Sequence, residues 1–452
     1  IHMHHLINLL QSELGKDCVF FDEETRRACA QDESEQPPVL PDIVVIPETS
    51  LQVEILLRLA QEHRFFVTPR GAGTGKSGGA VPIHKGVLLS LSRMNHVLDL
   101  DTDNLLAVVE PGVICQDLQQ TAWNAGLFYP PDPASLDTCS VGGNVAENAG
   151  GPRAFRYGVT REYVLGMEVV TLGGKRFDVG HRSVKGVSGY DLVGLLVGSE
   201  GTLAVFTKII FKLIPQPMSS ALFVLYFENV HQAAKTVSHL VRQRIFPMTL
   251  ELMDAESIAA VRSDTFDPPF EAKAVLFLEI ENADSNVVTR TVQNIPIDCT
   301  PIGIEMREGA NAEWAWSARR EVSKKLKARY AYKISEDVAV PRALLPELVE
   351  LVRDIAADWG LQSACYGHAG DGNLHVNFLT HDSHAAERFE RAVEELFRCT
   401  LLLGGTLSGE HGIGTLKQRF LPAEHAPAAM NMFATMKRAW DPYGLLNPGK
   451  IL

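Results

Sequence analysis

The sequence predicts an α+β protein of two or three domains, and three observations point there. Short apolar runs of strand length alternate with glycine-rich turns through the first half. A strand–helix–strand stretch follows a proline-bounded link near residue 217. Glycine- and proline-rich composition then returns after Gly404. The 452 residues, 46% hydrophobic, are ordinary globular composition with length for more than one core.

Residues 3 to about 40 are polar and mixed and read as a helical lead-in; Ile1 and His2, ahead of Met3, read as a cloning remnant. Ile43-Val44-Val45-Ile46 is a strand. Thr49 or Ser50 can cap a helix that puts Val53, Leu56, Leu57 and Ala60 on one face, and Phe65-Phe66-Val67 is a second strand. Further runs, such as Val87-Leu88-Leu89 and Leu106-Ala107-Val108-Val109, carry the same layout to the linker Pro215-Gln216-Pro217. Leu222-Phe223-Val224-Leu225-Tyr226-Phe227, a helix from Val230 and the strand Val275 to Ile280 indicate a separate antiparallel sheet with helices on one side. The expected domains are 3–217, 218–400 and 401–452.

Net charge is −13 with no basic stripe, which excludes nucleic acid as the expected partner. No run approaches the ~18 apolar residues of a membrane span, and the N-terminus has no basic region followed by an apolar core. The seven cysteines are scattered, with no CxxC, and read as reduced thiols of a cytoplasmic protein. Peripheral attachment at the inner membrane through a partner stays open.

Gly71-Ala72-Gly73-Thr74-Gly75-Lys76-Ser77-Gly78-Gly79 follows the second strand. Gly75-Lys76-Ser77 ends like a P-loop, but Arg70 stands where the first glycine belongs. The spacing Gly71-x-Gly73-x-Gly75 does not open a helix either, so neither an NTPase loop nor a dinucleotide fingerprint fits. Five glycines in nine residues still permit positive φ and let backbone N–H groups close on an anion. A plain flexible loop is the other reading, and the loop alone does not choose.

The loop heads an ordered series: Pro69 to Gly75, Val109-Glu110-Pro111-Gly112-Val113, Pro130-Pro131-Asp132-Pro133, Ser140-Val141-Gly142-Gly143-Asn144, Leu195 to Leu203 through Gly198-Ser199-Glu200-Gly201-Thr202, and Asn447-Pro448-Gly449-Lys450. Over residues 40–452 this resembles the vanillyl-alcohol-oxidase-type (PCMH-type) FAD-linked oxidases. Within them it resembles the branch of D-lactate dehydrogenase, glycolate oxidase and D-2-hydroxyglutarate dehydrogenase. The resemblance implies a two-subdomain FAD-binding domain, completed by the C-terminal tail, with an inserted cap domain of antiparallel sheet and helices. It implies that Arg70, Gly71, Ala72, Gly73, Thr74 and Gly75 cradle the FAD pyrophosphate. Pro131, Asp132, Ser140, Gly142, Gly143, Asn144, Gly150, Glu200, Gly201, Val205 and Asn447 would line the rest of the cofactor. Residues 71–79 hold no histidine, so non-covalent FAD is expected.

In Tyr366-Gly367-His368-Ala369-Gly370-Asp371-Gly372-Asn373-Leu374-His375-Val376-Asn377, Asp371-Gly372 reads as a two-residue hairpin turn. That turn pairs Gly370 with Asn373, Ala369 with Leu374 and His368 with His375, and puts Asn377 on the same face. Two imidazoles so held can bind one metal ion. Ser408-Gly409-Glu410-His411-Gly412 adds a carboxylate and a third imidazole, and His₂Glu with an open position is a typical catalytic metal set. Adjacent Glu410 and His411 reach one site only on an irregular backbone, which the flanking glycines permit. The resemblance assigns His368, His375 and Glu410 as ligands, of zinc, manganese or iron(II), and His411 as catalytic base.

The segments Trp316 to Arg319 and Tyr332 to Pro341 match the family's substrate segments. They make Arg319 and Lys333 the expected binders of a substrate carboxylate, with Ser323, one helical turn after Arg319, and Asn377 adding contacts. The expected activity is oxidation of a small D-2-hydroxy acid, D-lactate or glycolate, to the 2-oxo acid. D-2-hydroxyglutarate and a non-catalytic FAD-binding subunit of a redox complex are the alternatives. The chain has no cysteine cluster for iron–sulfur centres, so electrons are expected to leave through an iron–sulfur subunit, an electron-transfer flavoprotein or quinone. A homodimer is left open.

Overall fold

The computed structural model describes residues 3–217, 219–281, 286, 290 and 292–452. Ile1 and His2, and Met218 at the expected start of the second domain, lie outside the described residues. The chain forms two units: Ile1–Ala149, Val159–Gln216 and Glu410–Leu452 in the first, Gly150–Gly158 and Pro217–Gly409 in the second.

The first unit opens with the helix Met3–Leu14, the short strand β1 (Val19–Phe20) and the helix Glu23–Ala28. Strands β2 (Ile43–Val45), β3 (Val67–Arg70) and β4 (Val87–Ser90) complete a sheet of order β1-β2-β4-β3, with β4 parallel to both neighbours. The helix Ser50–His63 crosses from β2 to β3. Thr49 accepts from Gln52 N, and the Gln52 side chain accepts from Thr49 N, a reciprocal cap that satisfies two otherwise orphaned amides. Its Val53, Leu56, Leu57 and Ala60 pack on Val45, Val67, Val87 and Leu89. Strand β3 starts at Val67, two residues later than the apolar run suggests. Arg64 ends the helix in the left-handed region (φ 58), and Phe65 N closes back onto Ala60 O at 3.3 Å, so Phe65 belongs to the helix terminus.

Next come β5 (Val97–Asp101), β6 (Leu106–Val109), the short β7 (Leu127–Phe128), β8 (Val164–Thr171), β9 (Lys175–Gly180), β10 (Val205–Lys212) and the short β11 (Ile214–Pro215). Five of them form an antiparallel sheet of order β5-β6-β10-β8-β9, and β7 pairs with β11. The tail holds a helix, Pro427–Trp440, that composition did not reveal. Proline in its first turn suits a helix start, and none of its residues is buried.

The second unit is built on β12 (Ser220–Phe227), β13 (Thr249–Asp254), β14 (Ala274–Glu281), β15 (Gly303–Arg307), β16 (Tyr332–Ala339), β17 (Gln362–His368) and β18 (Asn373–Thr380). They form one sheet, β15-β12-β14-β13-β17-β18-β16, antiparallel throughout. Helices cover both faces, not one. Ile258 and Val261 of the helix Ala255–Val261 and Ala315, Val322 and Leu326 of the helix Gly309–Arg329 pack on Leu222, Val224 and Tyr226 of β12. The helices Val230–Arg242 and Leu345–Asp358 cover the other face, where Phe223, Leu225 and Phe227 are buried. The unbroken apolar run of β12 carries this information, since a sheet with one wet face alternates. Among the described residues no helix is long and apolar enough to cross a membrane.

Candidate active site

In the first unit, β3 runs straight into the glycine loop. The backbone N–H groups from Gly71 to Lys76 donate to no acceptor among the described residues; Ala72 and Lys76 are exposed, but Gly71, Gly73, Thr74 and Gly75 are half-buried, where fewer amides are left to water. A row of unused donors at a strand end is what an anionic pyrophosphate requires, so the residues present fit FAD. The Arg70 guanidinium turns away beneath the loop, donating from Nη1 to Gln31 O at 2.7 Å. Gly73 has φ +76, and a Cβ there would collide with that guanidinium. Gly73→Ala is therefore expected to weaken FAD binding at least about tenfold through backbone strain and loop displacement. A flavin titration of the apoprotein checks this; unchanged affinity would mean the cradle lies elsewhere.

The loop abuts the helix Val141–Glu147, whose cap Ser140 accepts from Gly143 N at 3.4 Å. A Cβ on Gly71 would strike Ser140 Oγ, and one on Gly142 would strike Pro111, so these glycines serve close approach. Asn144 Nδ2 is buried without a partner. Of the other expected cofactor residues, Pro131 gives its carbonyl to Gln119 Nε2 at 2.7 Å, and Gly201 takes φ +69 in the turn after Glu200. Val205 lies in the core with Val170 and Leu446. Asn447 spends its side-chain N–H groups on Gly79 O and Glu200 O, and its Oδ1 accepts from Lys450. Gly150 belongs to the second unit.

Sequence reasoning missed Glu147 as the companion of Glu200. Burial pushes Glu200 up to about 7, against the lowering effect of the Ile413 and Gly414 amides. Burial and then the neighbouring Glu200 raise Glu147 well above the usual carboxylate range. Ionising Glu147 beside Glu200 and away from water is disfavoured, so Glu147 is the member of the pair that keeps its proton.

In the second unit the histidine hairpin departs from the expected register. His368 pairs with Asn373, Gly367 with Leu374 and Tyr366 with His375. The loop has four residues, not two: Ala369–Asp371 makes a 3₁₀ turn and Gly372 closes it at φ +73, where a Cβ would collide with Val340 O. The slip moves each pairing by an even number, so both imidazoles keep one face. His375 now sits diagonal to His368, with ring centroids 5.2 Å apart and planes at 86°.

Opposed residues of antiparallel neighbours share a face, and three rows follow from the pairings. Glu251, His368 and Asn373 form the first, Met253, Tyr366, His375 and Asp337 the second, and Ala364, Asn377 and Ser335 the third. The helix Gly309–Arg329 lays Arg319 and Ser323 on this face. Arg319 Nε and Nη2 donate to Glu251 Oε2 at 2.7 and 2.6 Å, and His368 Nδ1 lies 2.5 Å from Glu251 Oε1. Burial alone would raise the Glu251 carboxyl, but His368 and then Arg319 outweigh it and hold it at about 2. The guanidinium lies 4.9 Å over the Tyr366 ring, and Tyr366 neighbours Ser323 and Asn377. Lys333 Nζ donates to Ser323 Oγ at 3.1 Å.

Arg319, Ser323, Lys333, His368, His375 and Asn377 thus gather on one face. Glu410 and His411 belong to the first unit, their side chains 3.8 Å apart. Glu410 directly follows Ser408 and Gly409, which the second unit holds to Asp337 through Ser408 Oγ–Asp337 Oδ2 (3.2 Å) and Gly409 N–Asp337 O (3.3 Å). Glu251 was missed, although a lone acid in Leu250-Glu251-Leu252-Met253 signals a buried charge that must be paired.

The family model of the FAD linked oxidases, C-terminal domain, matches residues 216–451, and that of the FAD binding domain matches 41–180. The chain is 37% identical over 440 residues to glycolate oxidase subunit GlcD of Bacillus subtilis (strain 168), covering 95% of this chain and 93% of that one. It is 34% identical to D-lactate dehydrogenase of Anaerostipes hadrus (91% and 89% covered) and 30% identical to D-2-hydroxyglutarate dehydrogenase of Stutzerimonas stutzeri (strain A1501) (99% and 98% covered). Among solved structures, p-cresol methylhydroxylase with substrate bound superposes with TM-score 0.82 at 18% identity, covering 99% of this chain and 96% of that one. The fold is accordingly that of the PCMH-type FAD oxidases. With an unspent row of amides where the FAD binding domain matches, the chain belongs to the FAD-linked oxidases and is a FAD-dependent oxidoreductase.

Proposed function

We propose that this chain oxidises a small D-2-hydroxy acid, D-lactate or glycolate, to the 2-oxo acid; D-2-hydroxyglutarate is the alternative. The observation that carries the reading is the grouping of Arg319, Lys333, His368 and His375 on one sheet face, a cationic pair for a carboxylate beside two imidazoles. The names of the relatives, glycolate oxidase, D-lactate dehydrogenase and D-2-hydroxyglutarate dehydrogenase, support it.

The Nε–Nη2 edge of Arg319 is committed to Glu251, so Nη1 and the Lys333 ammonium receive the substrate carboxylate. Glu251 orients both Arg319 and His368 from behind. His368 and His375, with Glu410, would hold a divalent metal, probed first as zinc, that lowers the pKa of the substrate hydroxyl. His411 takes the hydroxyl proton as general base. The Gly71–Gly75 amides would hold FAD non-covalently, and the cofactor when bound would supply the acceptor for the hydride from C2. An iron–sulfur subunit, an electron-transfer flavoprotein or quinone would be the electron acceptor.

The test is the visible spectrum of the anaerobic holoprotein with D-lactate, L-lactate, glycolate and D-2-hydroxyglutarate added separately. Bleaching by D-lactate or glycolate and not by L-lactate is expected. Bleaching by D-2-hydroxyglutarate alone selects the alternative, and a flavin band that no acid bleaches overturns the reading.

A further inference from the structure

We infer that Glu200 is a positioning residue whose carboxylate, backed by Glu147, fixes the turn that carries His411. The inference rests on the reading of His411 as the base, and its observations all lie in the first unit. Glu200 Oε1 accepts from Ile413 N and Gly414 N, both at 2.9 Å, two and three residues beyond His411. Between them and His411 stands Gly412 at φ +89, where a Cβ would collide with Glu147 Oε2 and Glu200 Oε1. The turn therefore lies directly on the two carboxyl groups.

The far side of the turn is tied to the cofactor loop. Ser77 O accepts from Thr415 N at 3.0 Å and Leu416 N at 3.4 Å, and Thr415 Oγ1 donates to Gln36 Oε1 at 2.7 Å. Glu200 is itself immobilised. It sits at φ +53, its N–H donates to Ala146 O at 2.8 Å, and its carbonyl accepts from Asn447 Nδ2 at 2.8 Å. Its Oε1 is thus spent on the turn. Amide-to-carboxylate bonds are about twice as strong as neutral ones, and two of them on one oxygen fix the backbone just past His411. Positioning matters because a misplacement of ~1 Å costs on the order of 100-fold in rate.

Chemistry separates this role from plain packing. Glutamine at position 200 keeps an oxygen for both amides and offers an N–H to Glu147; alanine keeps neither. Four holoproteins are compared, wild type, Glu200→Ala, Glu200→Gln and His411→Ala. The readouts are flavin content, substrate Kd, the anaerobic flavin reduction rate with whichever 2-hydroxy acid bleaches the wild type, and hydrogen exchange at Ile413 and Gly414. Glu200→Ala is expected to keep FAD and bind substrate within about threefold. Its reduction should be about 100-fold slower and its Ile413 and Gly414 amides should exchange faster, while Glu200→Gln restores most of the rate. Wild-type reduction in Glu200→Ala overturns the inference, as does loss of FAD in parallel with rate, which would make Glu200 a cofactor holder. If Glu200→Ala does not fold, Gly412→Ala decides, since it pushes the turn off intact carboxyls: retained FAD with slow reduction supports the inference, and a wild-type rate overturns it. Wild-type reduction in His411→Ala defeats the reading of the base instead, whatever Glu200→Ala does.

Discussion

His411→Ala is expected to purify with FAD bound and to reduce it about 10²- to 10⁴-fold more slowly than the wild type, the usual span for a lost general base. Retention of FAD follows from place. His411 lies outside both the Gly71–Gly79 loop and the Ser140-capped helix, and the turn after it is held by Glu200 and Ser77 through backbone atoms that alanine keeps. Loss of rate follows from chemistry. An alcohol proton leaves reluctantly near neutral pH, and an unprotonated imidazole is the side chain suited to accept it there. Flavin absorbance per protein and anaerobic stopped-flow reduction measure the two halves separately. A wild-type reduction rate would remove His411 from the mechanism.

Glu251→Ala is expected to be the most destabilising single change at the site. Glu251 is buried, and it takes both Arg319 nitrogens and His368 Nδ1. Its removal leaves a buried guanidinium without a counter-charge, a loss of about 3–5 kcal/mol when one partner of a buried pair is deleted. The same change frees the His368 ring, and at the proposed metal site loss of such an orienting partner is expected to weaken binding about 10- to 100-fold. The double variant Glu251→Ala/Arg319→Met separates the two effects. Removing the orphaned charge should restore most of the stability while leaving metal content low and activity absent. Denaturant melts and elemental analysis of the three proteins check this. Equal stability of Glu251→Ala and wild type would mean that the buried pair is not a structural element.

Local chemistry was legible wherever a short stretch dictates its own conformation. The Thr49 cap and the apolar face of its helix need only a few neighbouring residues. The glycine loop declares its freedom by composition, and the odd separation of His368 from His375 and Asn377 across a turn keeps them on one face whether the turn has two residues or, as found, four. The register itself was not legible, because it depends on Gly372 packing against Val340 and on Arg342 donating to Gly370 O, outside the hairpin.

The family and its FAD-binding domain could be read from the chain before it was folded. Which charges meet could not. His368 and Glu251 stand 117 residues apart in the chain and come together through the pairing of β13 with β17. Glu200 reaches the Ile413 amide across 213 residues. A buried charge announces that it needs a partner, because leaving it unpaired costs too much free energy. Which partner it takes is set by strand order and register, and these follow from the burial of many apolar side chains at once rather than from any one segment.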